Sequence, residues 1–281
     1  MVVGHVMIDV SARAGALARG GDVSGSVRLR PGGAGANAAV WAAWAGAEAR
    51  LHARVGDDLP GRVLRETLES AGVKAMLALD PEAPTGTMLV LTEEGERSMV
   101  ADRGASGRLS PGDLPERIEA GAVLVSGYLL FDRESRSAGR AALERASADT
   151  VALDAASWSP LRSLGRERFL DMARGATLLL ANEREAEVLT GSGEEEAARM
   201  LADLAGAAVV KLGAAGAVAV AGGDVHRVRA PTAEVVDPTG AGDAFDGVLL
   251  ARLAAGEELP AALEEAARAG ALSVAREGAW P

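Results

Sequence analysis

Short apolar runs separated by glycine-rich or polar segments recur along most of the chain. Val2–Ile8 is an apolar run of strand type that ends at Asp9. Residues 11–30 have a different texture, with apolar and polar positions alternating over Val23–Leu29. That pattern predicts a small antiparallel excursion, a flap, beside a main sheet. The glycine-rich stretch Pro31 to Ala38 then leads into an apolar helix predicted over Ala39–Ala47. From Arg50 the order is regular: strand Leu51–Val55, helix Leu59–Ser70, strand Val73–Leu79. Thr87–Thr92 and Arg97–Ala101 flank the polar turn Glu93-Glu94-Gly95-Glu96 and predict a hairpin that completes the flap.

The second half alternates strand and helix. Strands are predicted at Val123–Val125, Val151–Leu153, Leu178–Leu180, Ala207–Lys211 and Ala217–Val220, and helices at Glu134–Arg145 and Ala261–Val274. Alternation at this spacing implies an α/β fold, a parallel sheet covered by helices on both faces. Val235 and Val236 end a further strand-like run. A glycine-rich turn follows, and a helical pattern continues through Ala244, Phe245, Val248, Leu249 and Leu250.

Composition narrows the function classes. The 281 residues are 48% apolar, enough for a large core in one or two domains. A net charge of −11 without a Lys/Arg cluster argues against nucleic acid or an anionic membrane as partner. The absence of cysteine excludes disulfides, thiolate metal sites and a cysteine nucleophile. No apolar stretch is long enough to span a bilayer, and the N-terminus opens directly on a strand-like run, so the expectation is a soluble, cytoplasmic protein.

The densest chemistry lies at Asp237-Pro-Thr-Gly-Ala-Gly-Asp243. A turn with Gly240 and Gly242 that opens a helix presents unpaired N–H groups and a positive dipole end, a site for an anion such as phosphate. Asp243 either caps that helix or faces the anion, where it would take a proton from an attacking hydroxyl. Asp9, just past a strand end, is a solvated turn acid or a ligand contact. Gly33-x-Gly35-x-x-Ala38, with Asp57 and Asp58 about twenty residues on, fits a dinucleotide fingerprint. The residues before it, Val27 to Pro31, do not read as the buried parallel strand that fingerprint needs. Asn37 is suited instead to hydrogen-bond a small polar ligand. Asn182 and Glu185 form a capping box or hold a hydrated Mg²⁺. Leu212-Gly213-Ala-Ala-Gly216 after Lys211 admits a flat ligand or is a tight hairpin. Arg103 is a surface residue or sits where flap and sheet meet. His5, His52 and His226 show no partnering pattern and are expected to be structural.

Taken together these motifs resemble the ribokinase-like (phosphofructokinase-B type) carbohydrate kinases, over nearly the whole chain. Asp237-Pro-Thr-Gly-Ala-Gly-Asp-Ala-Phe resembles the C-terminal signature of that family, and Gly32-Gly33-Ala-Gly-Ala-Asn37-Ala, continued by Arg54-Val-Gly-Asp-Asp58, its N-terminal one. Asn182-x-x-Glu185 is similar to its metal-linked motif and Lys211-Leu-Gly213-x-x-Gly216 to its nucleotide-side loop. The resemblance implies one three-layer αβα domain over residues 1–281, with a mostly parallel sheet and a β lid formed by residues 11–30 and 86–101. It implies transfer of the γ-phosphate of ATP to a hydroxymethyl group of a small carbohydrate, such as ribose, fructose or a 2-keto-3-deoxygluconate-like acid. Asp243 would be the base, with Gly240, Ala241 and Gly242 as anion hole. Asp9, Gly33, Asn37 and Arg103 would hold the substrate, and Asn182, Lys211, Gly213 and Gly216 the nucleotide. Glu185, with Asn182, would hold Mg²⁺ largely through water. A monovalent cation such as K⁺ beside Asp237 and a homodimer through the lid are further implications. A nucleoside kinase on the same scaffold is the alternative, ahead of a non-catalytic binding relative or a dinucleotide enzyme.

Overall fold

Val2 and Val3 face opposite sides of one sheet, and each side carries its own buried apolar layer. The same division repeats along the strand Ala122–Ser126, where Ala122 and Leu124 enter one layer and Val123 and Val125 the other. Alternation of this kind in a strand buried on both faces is what places a sheet between two helical layers. The structure, a computed structural model, describes residues 1–281 except 17, 19, 94 and 95. The expected turn at Glu94-Gly95 therefore lies outside the described residues.

The elements run β1 (Val2–Val3), β2 (Met7–Ala14), β3 (Gly25–Gly32), α1 (Ala34–Trp44), β4 (Arg50–Gly56), α2 (Leu59–Ser70), β5 (Lys74–Asp80), β6 (Thr87–Glu93) and β7 (Glu96–Asp102). After two 3₁₀ turns come β8 (Ile118–Glu119), β9 (Ala122–Ser126), α3 (Tyr128–Phe131), α4 (Arg136–Arg145), β10 (Ala146–Ser147) and β11 (Thr150–Asp154). The chain continues through α5 (Trp158–Leu164), α6 (Arg166–Met172), β12 (Leu178–Asn182), α7 (Glu183–Thr190) and α8 (Glu194–Ala205). It ends with β13 (Ala207–Lys211), β14 (Ala217–Ala221), β15 (Asp224–Val228), α9 (Ala241–Ala254) and α10 (Leu259–Val274).

The main sheet has the order β15-β14-β13-β12-β11-β9-β1-β4-β5 and is parallel from β13 to β5, with β14 and β15 antiparallel at one edge. Helices α1, α2, α9 and α10 pack on one face and α3 to α8 on the other. A separate sheet has the order β3-β2-β6-β7, with β2 and β6 parallel and the outer pairs antiparallel. This is the α/β arrangement expected, including the small sheet from residues 11–30 and 86–101.

Three local expectations need correction, and one is borne out. Val2–Ile8 is not one strand: it divides at Gly4-His5-Val6, where the chain leaves the main sheet for the small one. All seven residues are buried, so hydrophobicity carries no mark of the crossing. Helix α1 starts at Ala34, not Ala39, because Gly33 takes φ 94° as its N-cap. A Cβ on Gly33 would lie 2.7 Å from the His5 carbonyl oxygen. Val235 and Val236 form no strand and are exposed, the edge strand being β15, which ends at Val228. The stretch before Gly33 is an exposed antiparallel strand of the small sheet, which removes the dinucleotide reading. Helices α3, α5, α6 and α8 go unread in the sequence: α3, α5 and α6 have four to seven residues, too few for a helical period to show, and α8 opens on three glutamates and is rich in alanine. Among the described residues no helix is long and apolar enough to cross a membrane.

Candidate active site

The turn before α9 is fixed by its own side chains. Asp237 accepts the Thr239 N–H at 3.1 Å on one carboxylate oxygen and the Gly278 N–H at 3.2 Å on the other. Gly240, the N-cap, takes φ 79°, and a Cβ there would come within 2.5 Å of the Ala279 Cβ. Only glycine satisfies both the left-handed conformation and that contact. Helix α9 thus opens at Ala241, three residues before the apolar pattern begins, and Asp243 sits in its first turn. The N–H groups of this turn lie at the positive end of a 14-residue helix, a position suited to an anion.

Helices α1 and α9 cross in direct backbone contact. A Cβ on Gly247 would overlap the Ala38 carbonyl. Gly247 lies one turn beyond Asp243 on the same helix face, and Ala38 follows Asn37. The missing side chain at Gly247 is therefore what brings Asn37 to Asp243. The Asn37 Nδ2 donates to Asp243 Oδ2 at 2.7 Å, and the Trp280 indole Nε1 donates to Asn37 Oδ1 at 2.9 Å. Burial pushes the half-buried Asp243 carboxyl up to about 7; Asp154 and Asp9 add to the rise, and the Asn37 bond and Lys211 oppose it. Asp9 is pushed up to about 6 by burial and by the neighbouring Asp237. Tyr128 is raised by burial and then by Asp243, which places its phenol in the field of that carboxylate.

Behind Asp243 lies a charged cluster. Lys211 Nζ donates to Asp154 Oδ1 at 3.0 Å and to Asp246 Oδ2 at 2.7 Å. Burial works against the ammonium charge, but Asp154, Asp246 and Glu185 more than offset it and hold the lysine protonated. Asp246 is driven well above the carboxylate range by burial, and its Oδ1 has no hydrogen-bond partner. Glu185 is pushed up to about 7 by burial and then by Asp154. The capping box between Asn182 and Glu185 is formed: Glu185 N–H donates to Asn182 Oδ1 at 3.0 Å, and Asn182 N–H and Nδ2 donate to the two Glu185 oxygens at 2.8 and 2.7 Å.

Two cavities meet this turn. One, of about 330 Å³, is bordered by Lys211, Gly213 and Gly216 on one side and by Gly242, Phe245 and Ala271 on the other. Its walls are mainly apolar, as suits a flat heterocycle. Gly213 and Gly216 also form the tight turn of the β13–β14 hairpin, as one of the two readings of that segment expects. The second cavity, of about 370 Å³, lies between the small sheet and residues 236–238 with Glu277.

Asp243, Asn37, Asp9, Lys211, Asn182, Glu185 and the Gly240–Gly242 turn are thus gathered in one region, as the motifs implied. Gly33 serves the backbone packing of α1 on His5. Arg103 ion-pairs with Asp132 and lies over the Tyr128 ring, 5.3 Å from its centroid. Residues not foreseen are Asp154, Asp246, Tyr128 and Trp280. Asp154 closes strand β11, so the strand-end rule that singled out Asp9 applies to it equally. Asp246 stands three residues beyond Asp243. Nothing in the local sequence marks Trp280. His5 is buried, its Nε2 has no partner, and burial lowers its pKa to about 3, in keeping with a structural role.

Residues 1–280 match the pfkB family of carbohydrate kinases. The chain is 33% identical to the aminoimidazole riboside kinase of Salmonella typhimurium, over 89% of this chain and 83% of that protein. It is also 33% identical to the ATP-dependent ribose-1-phosphate kinase of Halopiger xanaduensis, over 98% and 92%. In structure it is similar to the adenosine kinase of Sinorhizobium meliloti, with TM-score 0.88, 25% identity and coverage of 100% of this chain and 94% of that one. A family match over essentially the whole length, together with relatives at this identity, is decisive: the chain belongs to the pfkB family of carbohydrate kinases.

Proposed function

We propose that this protein transfers the γ-phosphoryl group of ATP to a hydroxymethyl group of a small carbohydrate. It is a phosphotransferase, a sugar or nucleoside kinase of the pfkB family. The observation that carries the specific reading is the position of Asp243. Its carboxylate stands at a helix N-terminus where the apolar cavity beside Gly213 meets the polar side of the turn. Phosphoryl transfer needs mainly alignment and charge stabilisation, with one base for the hydroxyl. Asp243 takes the hydroxyl proton, and its pKa near 7 suits a base working at neutral pH. The N–H groups of the Gly240–Gly242 turn stabilise the transferring phosphoryl group. Asp9 and Asn37 hold substrate hydroxyls, and Gly213, Gly216 and Lys211 border the base and phosphates of ATP. The sheet β3-β2-β6-β7 acts as the lid, and we place the reaction in the cytoplasm, where ATP is supplied.

Asp154, Glu185, Asp243 and Asp246 together outnumber Lys211, the cation they share, so the donor chemistry here fits a divalent cation. Both Glu185 oxygens already accept from Asn182, so Glu185 and Asn182 would hold Mg²⁺ through its waters. When bound, Mg²⁺ neutralises phosphate charge. Among the described residues no group of three or more metal-binding side chains is formed. Each Asp237 oxygen accepts one backbone N–H, and a carboxylate oxygen has two lone pairs, so these bonds are compatible with a monovalent cation such as K⁺, and no step is derived through one.

A nucleoside acceptor is the second reading, favoured by Tyr128, whose ring lies against the site beside Arg103. The outer face of the small sheet carries Leu29, Val10, Leu89 and Val100 in one row across its four strands. Leu29, Leu89 and Val100 are exposed, which supports a homodimer through the lid. A coupled ADP-release assay across pentoses, hexoses, keto-deoxy sugar acids and nucleosides tests the proposal. Phosphorylation of a carbohydrate hydroxymethyl group is expected; turnover of nucleosides alone would select the second reading.

A further inference from the structure

Strand register places a row of arginines on the inner face of the lid. In the β2–β3 pair Asp9 stands opposite Arg30, Ser11 opposite Arg28 and Arg13 opposite Ser26. Residues directly opposite share a face, and alternate residues along a strand do too. Asp9, Ser11, Arg13, Ser26, Arg28 and Arg30 therefore all look the same way. All but Asp9 line the 370 Å³ cavity, which is closed below by Asp237 and Glu277. Arg30 ion-pairs with Glu277 at 2.6 Å, and Asp237 accepts backbone N–H groups. The guanidinium groups of Arg13 and Arg28 have no hydrogen-bond or ion-pair partner among the described residues. Their charge nonetheless reaches the cavity floor, since both help Arg30 to hold Glu277 below its usual range. In a chain of net charge −11, the roof of this cavity is positive.

The spacing has a direction. Asp9, at the inner end of the row, is near Asp243 and suits an alcohol. Each step along a strand adds about 3.3 Å, so the Ser11–Arg28 rung lies about 7 Å from Asp9, and Arg13 about 13 Å. A pentose- or hexose-sized acceptor with its reacting end at Asp243 and lying along this row would direct its far end toward these guanidinium groups. A neutral far end would give these two exposed guanidinium groups no charged partner, whereas an anionic one would give each a charge-assisted hydrogen bond.

We propose that the acceptor is anionic, a sugar acid or sugar phosphate whose carboxylate or phosphate is held by Arg13 and Arg28 at the end remote from the phosphorylated hydroxyl. This rests on the kinase reading above and narrows its substrate class.

The test measures kcat/KM for four acceptors of matched length: a neutral pentose, a neutral hexose, a hexose-derived keto-deoxy acid and a pentose 1-phosphate. Each is run with the wild-type enzyme and with the double variant R13Q/R28Q, whose altered side chains are exposed and leave the fold alone. Each charge-assisted contact is worth about tenfold or more, so the better anion should exceed the neutral acceptors by about 10²-fold. R13Q/R28Q should remove most of that ratio through KM, and raised salt should narrow it. The two anion arms decide between carboxylate and phosphate. Preference for a neutral sugar or a nucleoside would overturn the inference and leave the kinase reading standing, as would a ratio unmoved by R13Q/R28Q. Failure of every alcohol to accept phosphate would overturn both.

Discussion

The Asn37 side-chain amide donates to Asp243 at 2.7 Å across 206 residues of sequence, and Trp280 decides which way round that amide sits. An indole N–H only donates, so the Asn37 oxygen must face Trp280 and its NH₂ must face Asp243. The segment 277–280 contributes at every residue: Glu277 pairs with Arg30 of the lid, Gly278 binds Asp237, Ala279 packs on Gly240, and Trp280 orients Asn37. The Trp41 indole anchors it by donating to the Ala279 carbonyl at 2.8 Å.

Trp280→Phe keeps the ring but removes the donor. With nothing fixing the amide, Asp243 loses part of a bond that lowers its pKa. We expect kcat to fall by up to about tenfold, the scale of one hydrogen bond, and the acid limb of the kcat profile to move to higher pH. Trp280→His, which restores an N–H, should recover part of both. A kcat loss without movement of the acid limb would assign Trp280 a packing role alone.

Lys211 holds two carboxylates in a nearly dry site, with side-chain exposures of 12% for Lys211 and Asp154 and 2% for Asp246. Lys211→Met would leave them uncompensated, a loss on the order of 3–5 kcal/mol. The double variant Lys211→Met with Asp246→Asn should regain part of that stability, because one of the stranded charges is gone. Urea unfolding midpoints check both expectations, and additive losses would show that the pair is not coupled.

Activity and stability should depend on pH in opposite senses. Asp243 must be ionised to accept a proton, so kcat/KM should rise with pH through an acid limb near 7. Stability runs the other way for the same group. A carboxyl raised from 3.8 to about 7 keeps its proton in the folded state while the unfolded chain releases it. Folded stability therefore declines as pH rises across that window. Asp9 and Glu185, raised to about 6 and about 7, act in the same direction. His5, lowered to about 3 from 6.5, acts oppositely and costs stability as pH falls between those values. The melting temperature of Asp243→Asn relative to wild type should climb from near equality at pH 4 to a maximum above pH 7.

Much of this was legible in the chain because local chemistry and global position coincide. The motif Asp237–Asp243 declares its turn through proline and two glycines, and the turn has to open a helix. The strands of the main sheet read as short apolar runs because both their faces are buried. What stayed hidden depends on tertiary contact. The crossing at Gly4–Val6 is as apolar as the strands it joins. Gly247 looks like any helix glycine until α1 lies across it at Ala38. Trp280, in a segment without periodicity, gains its role only by meeting Asn37. Lys211 reads as a nucleotide contact in sequence, and its bonds to Asp154 and Asp246 depend on strands β11 and β13 lying on either side of β12.

The central claim is that Asp243 removes the acceptor proton, and single-turnover phosphoryl transfer by Asp243→Asn tests it most directly. Asparagine retains an oxygen for the Asn37 NH₂, so the variant should fold and bind ATP as wild type does. Its transfer rate should fall by about 10²–10⁴-fold, the usual worth of a general base. It should also lose the acid limb near pH 7. A variant that transfers phosphate at near wild-type rate, or that keeps that limb, would contradict the account.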